Sequence, residues 1–583
     1  MNTRDPGLRY QADESLPVTT ALGLGLQLTA LSVSATILIT TIVVRAAGGS
    51  EAYLSWAVVA AVAVGGAATM LQSLRLGRFG MGHVLMMGSS SAFIAVCIRA
   101  LAESGPGMLA TLVLVSALFQ FLISERLALF RRIFTPTVSG TVLMLIPVSV
   151  MPAAFSLLTD VPEGSPAVGA QLSALVTVLV MCGLSLKGSG ELRLWAPVLG
   201  VVIGSAVAAF YGIYDMSRVL EAPWIGLPQS RWPGLDLGFG PEFWALLPGF
   251  LLAAMIGSVR TISSAVAIQS VSWRRARAVD FRAVQGAVAT DGLSNLLSGL
   301  AGTMPNTSYS TGASLARLTG VASRNVGIAA GALFLAMAFF PKALALVLGI
   351  PGPVFAAYLV VMMAILFMVG AQMVIQDQIN YRKGLIVGVS FLAGTGFQGG
   401  AIFPELFSVF AGGLFNNGMT AGGFIAIVMT LFLEFTERRP RRFEAAFDLS
   451  SLKQLREFLG KFASDHGWDD AMASRLDAVG EEALLTLLER KDDDREGGRL
   501  LVSARREDNG AVLEFIAATA EGENLQDRIA LLGEPTEEEL IEQEASLRLL
   551  RHFADSIRHQ QYRGVDILSV RVKDQKPVPG IRG

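Results

Sequence analysis

A chain of 583 residues that is 52% hydrophobic and 16% charged, with a mean hydropathy of +0.53, excludes a single soluble domain. Its formal charge of −2 hides a division at Pro440: residues 1–440 hold 25 Lys and Arg against 19 Asp and Glu, whereas the remainder holds 21 against 29. Apolar runs near the length of a membrane span fill the first part and are missing from the second, so a polytopic membrane domain carrying a soluble C-terminal domain is expected.

The polar start, residues 1–17, is followed by no short apolar region with a small-residue cleavage site, and no cleaved leader is expected. Glycine, proline and charge clusters then bound fourteen segments, beginning near residues 20, 54, 82, 107, 134, 166, 193, 242, 284, 307, 323, 353, 383 and 420. With the N-terminus inside, the inner loops carry fifteen Lys and Arg against five on the opposite side, which favours a cytoplasmic N-terminus; an even number of spans also places the C-terminal domain in the cytoplasm. Cys97 and Cys182, both in apolar runs, suggest neither a disulfide framework nor a metal cluster. The polar stretch 215–241 divides the segments into two sets of seven. Related units with an odd number of spans insert in opposite orientations, as in transporters that hold substrate near the midplane between repeats.

Local sequence supports such a repeat. The third segment of one half carries Gly88, Ser89, Ser90 and Ser91, and that of the other carries Asn306, Thr307, Ser308, Tyr309, Ser310, Thr311 and Gly312. The fifth segments open on Pro136 with Val138 and on Pro351 with Val354. Small polar residues at membrane depth serve close helix packing, or they mark interrupted helices whose ends offer N–H and C=O groups to a ligand. Their recurrence in both halves favours interrupted helices, suited to a planar solute with donors and acceptors around its rim.

Several ordered motifs are specific: Gly25, Leu26 and Gln27; Gly88 to Ile94; Asp291, Gly292, Leu293, Ser294 and Asn295, running on to Gly302; Pro305 to Ser310; Val321, Ala322, Ser323 and Arg324; and Pro341 with Lys342. Over residues 20–436 the chain resembles the xanthine/uracil permease family, the nucleobase–ascorbate transporters. The resemblance implies an all-α polytopic membrane protein of 14 transmembrane segments in a 7+7 inverted repeat, with core and gate domains. It further implies elevator-like transport of uracil, xanthine or urate-like bases with a proton or sodium, and a homodimer in the lipid of a bacterial inner membrane, with no cofactor and no nucleic-acid partner. In that family the base sits between the first, third, eighth and tenth segments, onto which Ala35, Phe93, Ser308, Tyr309, Ser310 and Thr311 fall.

The departures matter as much. Where the family usually carries carboxylates in the eighth and tenth segments, this chain has Ile256 and Thr311; a histidine one turn on is Arg260, and another after the first-segment glutamine is Leu28. An arginine at membrane depth is costly and suits an anionic partner. Arg260, four residues beyond Ile256 on one helix face, either faces the site or snorkels to an interface or pairs with Asp291. In the first case the substrate is an anionic or electron-rich base, such as deprotonated xanthine or urate, or a small carboxylate. Two further readings stay open: an anion transporter or exchanger on the same fold, and a nucleobase sensor signalling through the C-terminal domain. Asp291, inside the ninth segment, either carries the coupling cation or braces the gate. His83 reads as a loop-border residue and 376–383 as an interfacial anchor, and no nucleophile, metal or acid–base constellation suggests an enzyme.

After a linker at 437–446, a small cytoplasmic α+β domain is expected at 447–575, with residues 576–583 as a tail. Apolar spacing predicts helices over 452–462 and 476–487, strands at 500–504 and 511–517 joined by a turn at 507–510, then a helix over 547–557 and a strand over 564–572. This part resembles the histidine-kinase-like ATPase fold of anti-sigma-factor kinases, which implies Glu481 or Glu482 as general base. Thr486, however, stands where an asparagine should hold magnesium, the adenine box is missing around 519–524, and residues 543–547 contain no glycine for a phosphate loop. A nucleotide-free regulatory or dimerising module, with a cytoplasmic regulatory partner, is expected.

Overall fold

The computed structural model describes residues 8–574 except 128–134, 160, 162–165, 215, 227–230, 275–276, 378, 404–414, 416–417, 437–439, 490–497, 508–509, 518–524, 526–544 and 564. It comprises two bodies, residues 1–275 with 286–432 and residues 276–285 with 433–583.

The first body opens with α1 (Val18–Ala46) and α2 (Glu51–Leu74). Ser50 starts α2 by accepting from the Tyr53 N–H at 3.2 Å, a side-chain cap for a donor that the first turn leaves unpaired. There follow strand β1 (Met86–Ser89), a 3-10 turn (Ser91–Phe93) and α3 (Ile94–Glu125). Gly105, at φ 80°, breaks α3 just before Pro106, where the sequence predicts a segment boundary. Next come α4 (Pro136–Ser156), α5 (Ala167–Lys187), α6 (Gly190–Phe210), the short α7 (Ser217–Glu221) and α8 (Pro241–Val271). Prolines open α4 and α8 in the first turn, where no N–H is required of them. Helix α9 (Phe281–Ala301) leads to strand β2 (Asn306–Tyr309), α10 (Thr311–Thr319), α11 (Arg324–Met337), α12 (Pro341–Leu348), α13 (Gly352–Gln376), α14 (Tyr381–Gln398) and α15 (Gly418–Thr436).

Seven helical stretches are long and apolar enough to cross a membrane, and α11 and parts of α6 and α15 are shorter apolar helices, among the described residues. Glycine lets two pairs of these helices touch backbone to backbone. A Cβ on Gly331 of α11 would lie 2.6 Å from the Met70 nitrogen and 2.9 Å from the Gly66 oxygen of α2; one on Gly370 of α13 would lie 2.7 Å from the Gly140 oxygen of α4. Such contacts replace the hydrophobic drive that lipid removes.

The all-α expectation is corrected at the centre of this body. Strands β1 and β2 form an antiparallel ladder in which Met86 faces Tyr309 and Ser89 faces Asn306, and all eight residues are buried. Two extended segments inside a helical bundle have no water for their N–H and C=O groups, and lying side by side satisfies both. Each strand feeds a helical segment, the turn at Ser91 leading into α3 and Thr311 opening α10. The predicted interruptions are therefore present, with a strand in each.

The second body is an antiparallel sheet in the order β3-β4-β5-β7-β6, from β3 (Arg441–Ala446), β4 (Arg499–Glu507), β5 (Gly510–Ala517), β6 (Ser556–Tyr562) and β7 (Val565–Lys573). Leu455, Leu459 and Phe462 of α16 (Leu452–Asp465) and Leu476, Ala483 and Leu487 of α17 (Asp470–Leu488) share one core with Val502, Phe515 and Leu568 of the sheet. Two expectations change. Residues 441–446, read as linker, form the edge strand β3. The last helix, α18 (Ala545–Phe553), ends before residue 557 and gives way to β6. Polar residues occupy inward positions of β6: His559 and Gln561 are buried, with His559 Nε2 3.1 Å from Asp566 Oδ2, so no apolar alternation marks the strand. Much of the degenerate nucleotide site (519–524 and 543–544) and the turn at 508–509 lie outside the described residues.

Glu481 is engaged by Arg456 at 2.6 Å. Glu482 meets the Ser546 hydroxyl, and burial holds its carboxyl above the usual carboxylate range. A carboxyl with a raised folded pKa stabilises the fold below its unfolded pKa and loses that contribution as pH climbs through the folded value. Glu482→Gln is accordingly expected to increase hydrogen-exchange protection along α17 at neutral pH and to leave it unchanged in acid; equal protection at neutral pH would contradict the burial effect.

Candidate functional site

The β1–β2 ladder is held in place by side chains of the helices around it. Thr69 of α2 accepts the Met87 N–H at 2.9 Å. Tyr309 donates its hydroxyl to the Ser89 carbonyl at 2.8 Å and lies 3.5 Å from Thr36 Oγ1, while Thr40 and Ser89 pair their hydroxyls at 3.0 Å. Asn295 of α9 takes the Asn306 N–H on its Oδ1 at 2.5 Å and donates to Gln120 of α3 at 2.7 Å. A crossing of extended chains thus gains side-chain donors and acceptors on both faces, as buried polar groups require.

Thr261 of α8 is the hub of the network. Its hydroxyl donates to Asp291 Oδ2 at 2.5 Å, accepts from Ser308 Oγ at 3.0 Å and lies 3.4 Å from Thr307 Oγ1. Asp291 is fully buried, and its other oxygen, Oδ1, has no hydrogen-bond partner among the described residues. Arg260, the preceding residue of α8, turns a different way. Adjacent helix positions point about 100° apart, and Nη1 of Arg260 donates to Ser91 Oγ at 2.7 Å. No carboxylate lies within 4 Å of the guanidinium among the described residues, so Arg260 and Asp291 form no direct ion pair, although each feels the other's charge. Ser90 Oγ and Thr311 Oγ1, where the two helical segments start, are buried without partners among the described residues.

The predicted site residues divide by environment. Arg260, Ala35, Ser310 and Thr311 keep exposed surface in the middle of the body, as does Ser91. Phe93 and Ile256 are buried, with the Phe93 ring 6.1 Å from that of Phe250. Ser308 and Tyr309 are also buried and spend their hydroxyls on the crossing itself. Thr261, Gln120, Asn295 and Thr36 were not among the site residues read from the sequence, although Asn295 stands in the ninth-segment motif. Their signal was present, since each is a hydrogen-bonding side chain inside an apolar run, but nothing in one sequence tells such a residue from ordinary helix packing. A cavity of about 590 Å³ opens beside Arg45, Glu51 and Pro351. It lies about 15 Å along α1 from Ala35 and is not the crossing site.

A family profile for xanthine/uracil permeases, described as "Permease family", matches residues 19–400. Xanthine permease XanP of Escherichia coli (strain K12) is 28% identical, with 63% of this chain and 81% of that protein aligned. Uric acid permease PucK of Bacillus subtilis (strain 168) is also 28% identical, over 70% of this chain and 95% of that protein. Among solved structures, the murine Slc26a9 anion transporter in its inward-facing state is 13% identical with a TM-score of 0.49, covering 74% of this chain and 71% of that one. The profile spans well over half of the chain, the matched relatives are permeases and not enzymes, and the apolar helices are those of an integral membrane protein: the chain belongs to the xanthine/uracil permease family.

Proposed function

We propose that this permease carries purine bases across the membrane, with the base seated where the β1–β2 crossing meets α1 and α8. The observation that carries this reading is the crossing itself, whose two strands run into α3 and α10 at the partly exposed Ser91, Ser310 and Thr311, with Arg260 of α8 bonded to Ser91. Relatives that carry xanthine and uric acid in their names favour purines over inorganic anions, so the exchanger and sensor readings gain nothing.

Fourteen spans in a 7+7 inverted repeat fit the antiparallel pairing of one strand from each half, and an elevator-type motion of that unit against a gate is the transport step we favour. Asp291 is the candidate for the coupling proton or sodium, being a buried carboxyl with one oxygen unused. The excess of basic residues on one set of loops supports cytoplasmic N- and C-termini. The C-terminal body, a five-stranded sheet with helices, serves as a nucleotide-free regulatory or dimerising module, in keeping with Thr486 in place of a magnesium ligand.

The test is uptake into proteoliposomes. Labelled xanthine and urate are expected to accumulate saturably and to be displaced by one another, with sulfate and bicarbonate ineffective. Uptake of uracil alone, or of no base, would refute the purine reading.

A further inference from the structure

Arg260 is the unexplained charge of the crossing. It sits on the eighth predicted segment, is mostly shielded by protein, and has as its one hydrogen bond among the described residues the neutral hydroxyl of Ser91. An arginine held away from water without a carboxylate costs free energy that some other partner must offset. The Asp291 charge reaches Arg260, but the carboxylate makes no direct bond to it and is turned to Thr261 through Oδ2, leaving the guanidinium fork open.

Apart from Asp291, the groups at the crossing add positive potential around Arg260. Ser91 opens the helical segment that becomes α3, and Thr311 opens α10, so two helix N-termini add their partial positive charge at the crossing. Independently, Ser90 is fully buried with a hydroxyl that bonds nothing among the described residues, and the Thr311 hydroxyl is also unpartnered. Free hydroxyl donors, two helix N-termini and a guanidinium form a receptor for a planar, oxygen-bearing anion. A guanidinium fork also matches adjacent oxygen or deprotonated nitrogen atoms on a ring edge, giving geometry as well as charge.

We infer that Arg260 makes this permease select the anionic form of its purine, with the guanidinium on the deprotonated edge of the base and the Ser90 and Thr311 hydroxyls completing its hydrogen bonds. This rests on the purine reading above and adds to it the charge state of the cargo. Arg260 is then a substrate-contacting residue, and the protein supplies the cation of the site one turn beyond Ile256, where the family usually places a carboxylate.

The experiment measures binding of urate, which is anionic at neutral pH, and of hypoxanthine, which is neutral there, to the purified full chain and to Arg260→Gln and Arg260→Lys. Wild type is expected to prefer urate. Losing a hydrogen bond to a charged group should shrink the urate-to-hypoxanthine affinity ratio in Arg260→Gln about tenfold to hundredfold, and Arg260→Lys should recover part of it. A merely structural arginine would lower both affinities together and leave the ratio unchanged, and that result overturns the inference while the purine reading stands. Wild-type protein that binds neither base overturns the purine reading and this inference with it.

Discussion

Gly88→Val is expected to abolish base uptake and to lower the thermal stability of the membrane body, because position 88 has no room for a side chain. A Cβ there would collide with Thr36 Oγ1 and lie 2.7 Å from the Tyr309 hydroxyl and 2.8 Å from its ring. These atoms cannot simply withdraw: Tyr309 is tied to the Ser89 carbonyl at 2.8 Å, and Thr36 is fully buried in α1. Overpacking a filled interior costs about 1–3 kcal/mol, and here the strain falls on the ladder from which both helical segments start. Gly88→Ala should show a milder form of the same defect. Gly23→Ala in α1, where an added Cβ meets nothing within 4 Å, is the control and should transport normally. Detergent thermal melts and proteoliposome uptake read the two effects separately. If Gly88→Val transports at the wild-type rate, the crossing is not the substrate seat.

How much of this was legible in the sequence depended on how far each signal reached along the chain. Apolar runs of span length disclosed the membrane body because a helix in lipid must satisfy its own backbone, which forces long uninterrupted stretches. The runs at 88–91 and 306–312 were visible as breaks in that pattern. Their pairing was not, because a four-residue strand buried on both faces shows no alternation, and its partner is more than 200 residues away. Arg260 stood out as a charge in an apolar segment, whereas its choice of Ser91 over Asp291 follows from the rotation of one helix, which a single sequence does not encode. Thr261 was overlooked for the opposite reason: threonine in a membrane helix commonly bonds its own backbone one turn back, as Thr29, Thr69 and Thr290 do here. In the C-terminal body the apolar strands β4 and β5 were readable, and β6 was hidden because its inward positions carry histidine and glutamine.

Asp291→Leu and Asp291→Asn should separate the two roles open to this carboxylate. Leucine removes the acceptor of the Thr261 hydroxyl at the centre of a network that also holds Thr307 and Ser308. A buried donor stripped of its partner costs about 1–3 kcal/mol, so Asp291→Leu is expected to melt earlier and to bind no base. Asparagine keeps a carbonyl oxygen for Thr261 and nearly the same shape, so the fold and the base site should persist. What it cannot do is take up and release a proton or neutralise a sodium ion. If Asp291 carries the coupling ion, Asp291→Asn should still exchange labelled base across the membrane while failing to accumulate it against a gradient. Accumulation that survives in Asp291→Asn would assign the carboxylate to the bracing of β2 alone. The Leu variant then distinguishes a brace from a bystander, since a bystander would tolerate loss of the Thr261 acceptor, whereas a brace would not.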